Sequence, residues 1–190
     1  MSADHHTTRS RIGVAFGAIL LLLLGPVPDA ETQTLPVCQL PHRLQVDGLR
    51  GVTDTALLDQ AQRPDGGGGL CGAVAYQVER PVVVYRVSAW TPDSSPDYFN
   101  WWSFENPSGP ATQYRRENVM CGEWSVAMKS VCKLSVGARI AVGVGQSYGH
   151  CADGRSLPAS STLQVYLAGT RQDLREQLQD CLVERGLDAP

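Results

Sequence analysis

The chain has 190 residues, with 16 basic and 19 acidic groups and a net charge of −3. A mildly acidic, mixed surface lacks the basic patch that nucleic acid or an anionic lipid surface selects. Neither is expected as a partner.

Residues 1–11 carry Arg9 and Arg11, residues 12–24 are apolar without a charge, and Gly25-Pro26 follows. A basic start, a short apolar run and a helix-breaking exit predict a secretory signal peptide over residues 1–30, with an uncleaved N-terminal anchor as the alternative. The run falls short of the about 20 apolar residues of a comfortable membrane span. Cleavage would remove Asp4, Arg9, Arg11 and Asp29 and leave the charge balance unchanged. Residues 31–190 are then expected to form one secreted or periplasmic domain, large enough to bury roughly two-thirds of its unfolded surface. No membrane contact is expected after cleavage.

Cys38, Cys71, Cys121, Cys132, Cys151 and Cys181 all lie downstream of that run. In an oxidising compartment they read as disulfides whose pairing the sequence leaves open. No C-x-x-C pair is present, and His42 and His150 are the histidines that would remain, so no metal centre is expected.

In chain order, a short strand is expected at residues 44–46 and a helix at 54–62. The four glycines of residues 66–69 read as a flexible loop. No Lys-Ser/Thr pair and no helix follow them, so they do not form a phosphate cradle. Cys71 would tie the end of that loop to the body. Val74, Tyr76 and Val78 alternate as a strand, and residues 82–90 (VVVYRVSAW) are rich in β-branched and aromatic residues. A turn at 91–97 leads to a second strand at 98–104 (YFNWWSF), and another turn follows at 106–110.

Residues 116–131 read as a helix, because Met120, Trp124, Ala127, Met128 and Val131 fall on one stripe. At about 1.5 Å per residue such a helix holds Cys121 and Cys132 roughly 16 Å apart. That is beyond the about 7 Å that a disulfide spans between Cα atoms, so each should bond elsewhere. Gly122 is the residue that could break this helix. Residues 137–144 and 160–167 are strands by alternation. Residues 171–185 read as a closing amphipathic helix, with Leu174, Leu178, Cys181 and Leu182 inward, Thr170 and Asp173 as its cap and Gly186 at its end. Cys181 would pin that helix to the body. The expected class is α+β: a largely antiparallel mixed sheet with a mid-chain and a C-terminal helix, stapled by disulfides.

No Gly-x-Ser-x-Gly elbow is present, and Gly143-x-Gly145 lacks the helix that a dinucleotide fingerprint needs. A more suggestive order is Arg86 inside an apolar strand, then Trp101-Trp102-Ser103-Phe104 after one turn, then Gln164 and Tyr166 on a late strand. It resembles the ADP-ribosyltransferase-like toxins and the secreted NAD glycohydrolases of the necrotizing-toxin type. The resemblance covers roughly residues 80–168 and rests on order and residue type. It implies that Arg86 holds phosphate, that Trp102 and Ser103 line a nicotinamide pocket, and that Gln164 steadies the oxocarbenium-like transition state. Tyr114, Arg115 and Arg116 would add a second phosphate contact. Tyr166 stands where many transferases carry their catalytic Glu, which favours hydrolysis over arginine-directed transfer.

The function so implied is hydrolysis of the nicotinamide–ribose bond, with NAD as substrate and no cofactor. The site would fix the pyrophosphate and stabilise the charge that develops on the ribose. Two rivals stand beside it. One is a non-enzymatic exported module, such as an inhibitor, an adhesin or a carbohydrate-binding domain, with an aromatic recognition surface for an extracellular target. The other is a glycan hydrolase drawing on Glu105, Glu117 or Glu123, which needs two carboxylates about 5–9.5 Å apart.

Overall fold

The computed structural model describes residues 46–90 and 96–188. The expected signal segment, Cys38, His42, most of the strand at 44–46 and most of the turn at 91–97 lie outside these residues. The described chain is α+β. Eight strands, every pair antiparallel, form one sheet: β1 (Leu49–Gly51), β2 (Leu70–Val78), β3 (Val82–Ser88), β4 (Trp101–Ser103), β5 (Met128–Leu134), β6 (Arg139–Gly145), β7 (Leu163–Leu167) and β8 (Leu178–Arg185). The order across the sheet is β1-β2-β6-β7-β4-β3-β5-β8. Helices α1 (Thr55–Ala61), α2 (Ala111–Glu117) and α3 (Arg171–Gln177) complete the fold.

The order requires the sheet to coil. β2 and β3 stand four positions apart, which is about 19 Å on a flat sheet. Only residues 79–81 join them, so Val78 and Val82 lie within about 14 Å of each other. The short β5–β6 link, residues 135–138, imposes the same closure at the same end, where Gly137 N donates to Val78 O at 2.8 Å. Coiling gives the sheet an inner and an outer face. Val78, Val84, Trp102, Cys132, Ile140, Val142, Val165 and Leu167 meet on the inner face as one buried cluster, with Leu174 of α3 packed into it.

On the outer face, α1 covers β2 and β6 through Leu57, Ala61, Leu70, Ala75 and Ala141. Asp54 caps α1 by accepting from Leu57 N, and that bond and Arg139 hold its carboxyl below the usual range. α2 packs Tyr114 against Val87 and Val126.

Two expected helices resolve differently. The mid-chain helix at 116–131 is instead α2 followed by a loop and then β5. In β5, Met128, Ser130, Cys132 and Leu134 are buried while the residues between them are not. That two-residue period is hidden by Ser130 and by the lysines on the outward positions. The closing helix stops at Gln177. It keeps its Thr170–Asp173 capping box, and residues 178–185 become edge strand β8 beside β5. Gly186 therefore ends a strand. A Cβ there would meet Val126 O at 2.1 Å, so only glycine fits beneath that backbone.

The disulfides follow the observed strands. Cys132 pairs with Cys181 across β5 and β8, pinning a strand where a helix was expected. Cys121 pairs with Cys151 and joins the α2–β5 and β6–β7 connections. Cys121 and Cys132 thus bond to other partners, as their expected separation required, although no helix separates them. Cys71, directly after the glycine run, is disulfide-bonded as well. The glycine run is bonded in place rather than loose. Gly66 N donates to Ser147 Oγ and Gly68 N to Ser147 O, both at 2.7 Å, and Gly69 O accepts from Gln146 N at 2.9 Å. Gly69 has φ +81°, and a Cβ there would meet Ala61 O at 2.8 Å.

Candidate binding cleft

A cleft of about 780 Å³ opens on the outer face over β3, β4 and β7. Tyr85, Trp101, Gln164 and Tyr166 form its floor, since Tyr85, Ser103 and Gln164 stand opposite one another in the ladders and alternation puts Trp101 and Tyr166 on that same face. The end of α1 and the glycine run make one wall, and the α2–β5 connection with Trp124 makes the other. Trp101 and Tyr166 pack with ring centroids 4.7 Å apart and tilted by 53°. Trp124 and Tyr148 sit 5.7 Å apart at the far wall. Phe99 and Trp124 remain 48% and 41% exposed, so rings reach the rim as well as the floor.

Arg86 enters the cleft by an unusual route. Its backbone alternates with Tyr85, so it belongs to the inner face, opposite Ser130. β3 and β4 share a single pairing, Tyr85 with Ser103, and beyond it the two strands are unpaired. The guanidinium occupies that split. Nη1 donates to Trp101 O at 3.0 Å, and Nε and Nη2 both bond Asp97 Oδ2 at 2.9 Å. Phe99 covers it, with the ring centroid 4.8 Å from Cζ. Burial pulls the Arg86 pKa down, and Asp97 opposes that pull. Asp97 is itself held by its N–H to Ser130 Oγ at 3.3 Å.

The other expected site residues are dispersed. Gln164 lines the cleft, and its Nε2 donates to Asn118 O at 2.8 Å, leaving Oε1 as an acceptor. Ser103 is on the cleft side of β4 by alternation, but it is 3% exposed and is not among the lining residues. Its Oγ accepts from Glu105 N at 3.0 Å, and it lines a separate pocket of about 50 Å³ with Glu105 and Glu117. Trp102 belongs to the inner core at 3% exposure, with Nε1 donating to Phe99 O at 2.7 Å, although its edge borders the cleft. Arg115 turns away to Trp124 O and Asp188. Arg116 is exposed on α2 and is not among the lining residues. The lining brings Arg86 and Gln164 together but leaves out Ser103, Arg115 and Arg116.

Sequence reading passes over Asp97, which falls in an expected turn, and Tyr148, and it names Tyr114 only as a phosphate contact with Arg115 and Arg116. No local signal marks them, because the cleft assembles from segments that are far apart in sequence. Tyr114 is 8% exposed, and burial pushes its pKa up to about 12 against a smaller opposing pull from Arg86. Among the described acids, Asp97 is the one that lines the cleft. Glu123 accepts from Ala152 N at 2.8 Å. Cys121 and Cys151 lie near Glu123, but their sulfurs are joined to each other and offer no thiolate to a metal. Among the described residues no helix is long and apolar enough to cross a membrane. Comparison with protein-family models, curated proteins and solved structures finds no match for this chain.

Proposed function

We propose that this protein is an exported, disulfide-stapled recognition module that binds its target in the aromatic cleft. One observation carries the reading. The cleft is walled by rings, while the guanidinium at its floor is already satisfied by Asp97 and a backbone carbonyl. A concave apolar surface with a few fixed polar groups is a general ligand site. An arginine neutralised from within organises that surface instead of offering a charge to a phosphate. Export is part of the proposal and rests on the basic-apolar N-terminus together with the disulfides.

Hydrolysis of NAD is the second reading, and one observation favours it: Arg86 and Gln164 line the same cleft. Against it stand the ion pair that occupies Arg86 and the position of Ser103 outside the cleft. A glycan hydrolase is less well supported, since Asp97 is the one described carboxylate in the lining and it is paired.

The two leading readings separate in one experiment. Oxidised, refolded protein is incubated with NAD while free nicotinamide is followed by chromatography. The indole N–H resonances of Trp101 and Trp124 are followed in parallel during titrations with small sugars and nucleosides. The module reading expects indole shifts on binding and no nicotinamide above the buffer rate. Nicotinamide release that disappears in Arg86→Lys and Gln164→Ala overturns it in favour of the glycohydrolase.

A further inference from the structure

Polar groups left open in the cleft define the chemistry of its ligand. Every sealed side-chain nitrogen or oxygen among the described residues has a hydrogen-bond partner. The Tyr114 phenol makes no hydrogen bond among them, so its oxygen is not sealed. Tyr114 is 8% exposed and lines both the cleft and the small pocket beside Ser103. The ring is fixed by Val87 and Val126, which leaves the hydroxyl as a pre-positioned donor and acceptor. Gln164 Oε1 adds an acceptor held in place by the Nε2 bond to Asn118 O. Trp101 and Tyr166 supply apolar ring faces between them.

Charge narrows the ligand further. The interior cation, Arg86, is balanced by Asp97, while Arg63 lines the rim and is exposed. A dinucleotide would bring a pyrophosphate into an interior whose cation is already neutralised. An uncharged pyranose brings an apolar C–H face for the rings and hydroxyls for neutral hydrogen-bonding groups. We propose that the cleft binds an uncharged glycan, and that the Tyr114 phenol hydrogen-bonds one of its hydroxyls. This rests on the reading of the cleft as a binding site.

The test titrates the oxidised full chain with neutral hexasaccharides (β-1,4-glucose, β-1,4-N-acetylglucosamine, α-1,4-glucose and β-1,4-xylose) and, separately, with NAD. Calorimetry and the Trp101 indole resonance are the readouts. At least one hexasaccharide is expected to bind and move that resonance, with NAD leaving it unmoved. Trp101→Ala should weaken binding tenfold or more. Tyr114→Phe keeps the packed ring and should weaken binding about fivefold, as for one neutral hydrogen bond. The melting temperature of Tyr114→Phe and its affinity for an analogue lacking the contacted hydroxyl should both match the wild type. NAD moving Trp101 while the sugars do not overturns the ligand class and leaves the cleft standing. No response of Trp101 to any of these ligands overturns both. Equal glycan affinity of Tyr114→Phe and wild type removes the phenol from the proposal.

Discussion

The two faces of the coiled sheet are built from the same strands and obey different rules. Inward, Ile140, Val142, Val165 and Leu167 are fully buried and touch one another. Outward, the same ladders carry Gln164, Tyr166 and Trp101, half-buried, and at the β8 edge Leu182 at 63% exposure. The inner face gains from excluding water and tolerates no gap. The outer face is left partly uncovered where α1 and α2 stop short of each other, and that uncovered strip is the cleft. Arg86 joins the two, since its backbone belongs to the inner face and its guanidinium to the cleft floor.

The largest effect should come from breaking that join. Asp97→Ala leaves a guanidinium with a side-chain exposure of 18% without its acid. Urea denaturation should show a loss of about 3 kcal/mol, the low end for an orphaned buried charge because the cleft admits some water. Replacing both partners, Arg86→Met with Asp97→Leu, should recover most of it. A double variant as unstable as the single one would mean that the bond to Trp101 O, rather than the ion pair, holds the split.

Alkaline pH tests the burial of Tyr114 of α2 against Val87 and Val126. Its pKa is about 12 in the folded chain and near 10 when exposed. Between those values the unfolded chain has lost a proton that the folded chain keeps. The contribution is therefore complete below about pH 10 and is lost as pH rises towards about 12, by roughly 2–3 kcal/mol. Stability curves for wild type and Tyr114→Phe should diverge in that window, and phenolate absorbance should show one tyrosine ionising last. Parallel curves would place the phenol in open water.

The smallest effect belongs to the outer face itself. Leu182→Ala should cost no more than about 0.5 kcal/mol. Ile140→Ala, an inner-face residue with no exposure, should cost about 2–5 kcal/mol. Similar costs at the two sites would show that something covers the outer face in solution.

Strands β3, β6 and β7 were legible because each alternates within its own sequence. Helix α1 and the capping box of α3 were legible because caps are local chemistry. The resemblance to NAD-consuming enzymes named Arg86 and Gln164, which do share a cleft. It also named Ser103, Arg115 and Arg116, which do not. Ser103 shares a face with Gln164 but is buried beside Glu105, and Arg115 and Arg116 lie on α2; order along a chain does not say what will cover a side chain or where a helix will turn it.

By itself, then, the sequence determined an α+β chain with disulfides and its three clearest strands, whereas its separation of Cys121 from Cys132 rested on a helix that the fold does not contain. Tertiary structure alone decided that residues 128–134 and 178–185 are strands. Each has a neighbour that supplies its hydrogen bonds, and no local pattern contains that neighbour. Tertiary structure also decided the cleft, because Asp97, Tyr114, Tyr148 and Gln164 come together only when short links force the sheet to coil. The charge of Arg86 was visible in the sequence. Its neutralisation by Asp97 was not, since an ion pair depends on distance in the folded chain and on the loss of water around it.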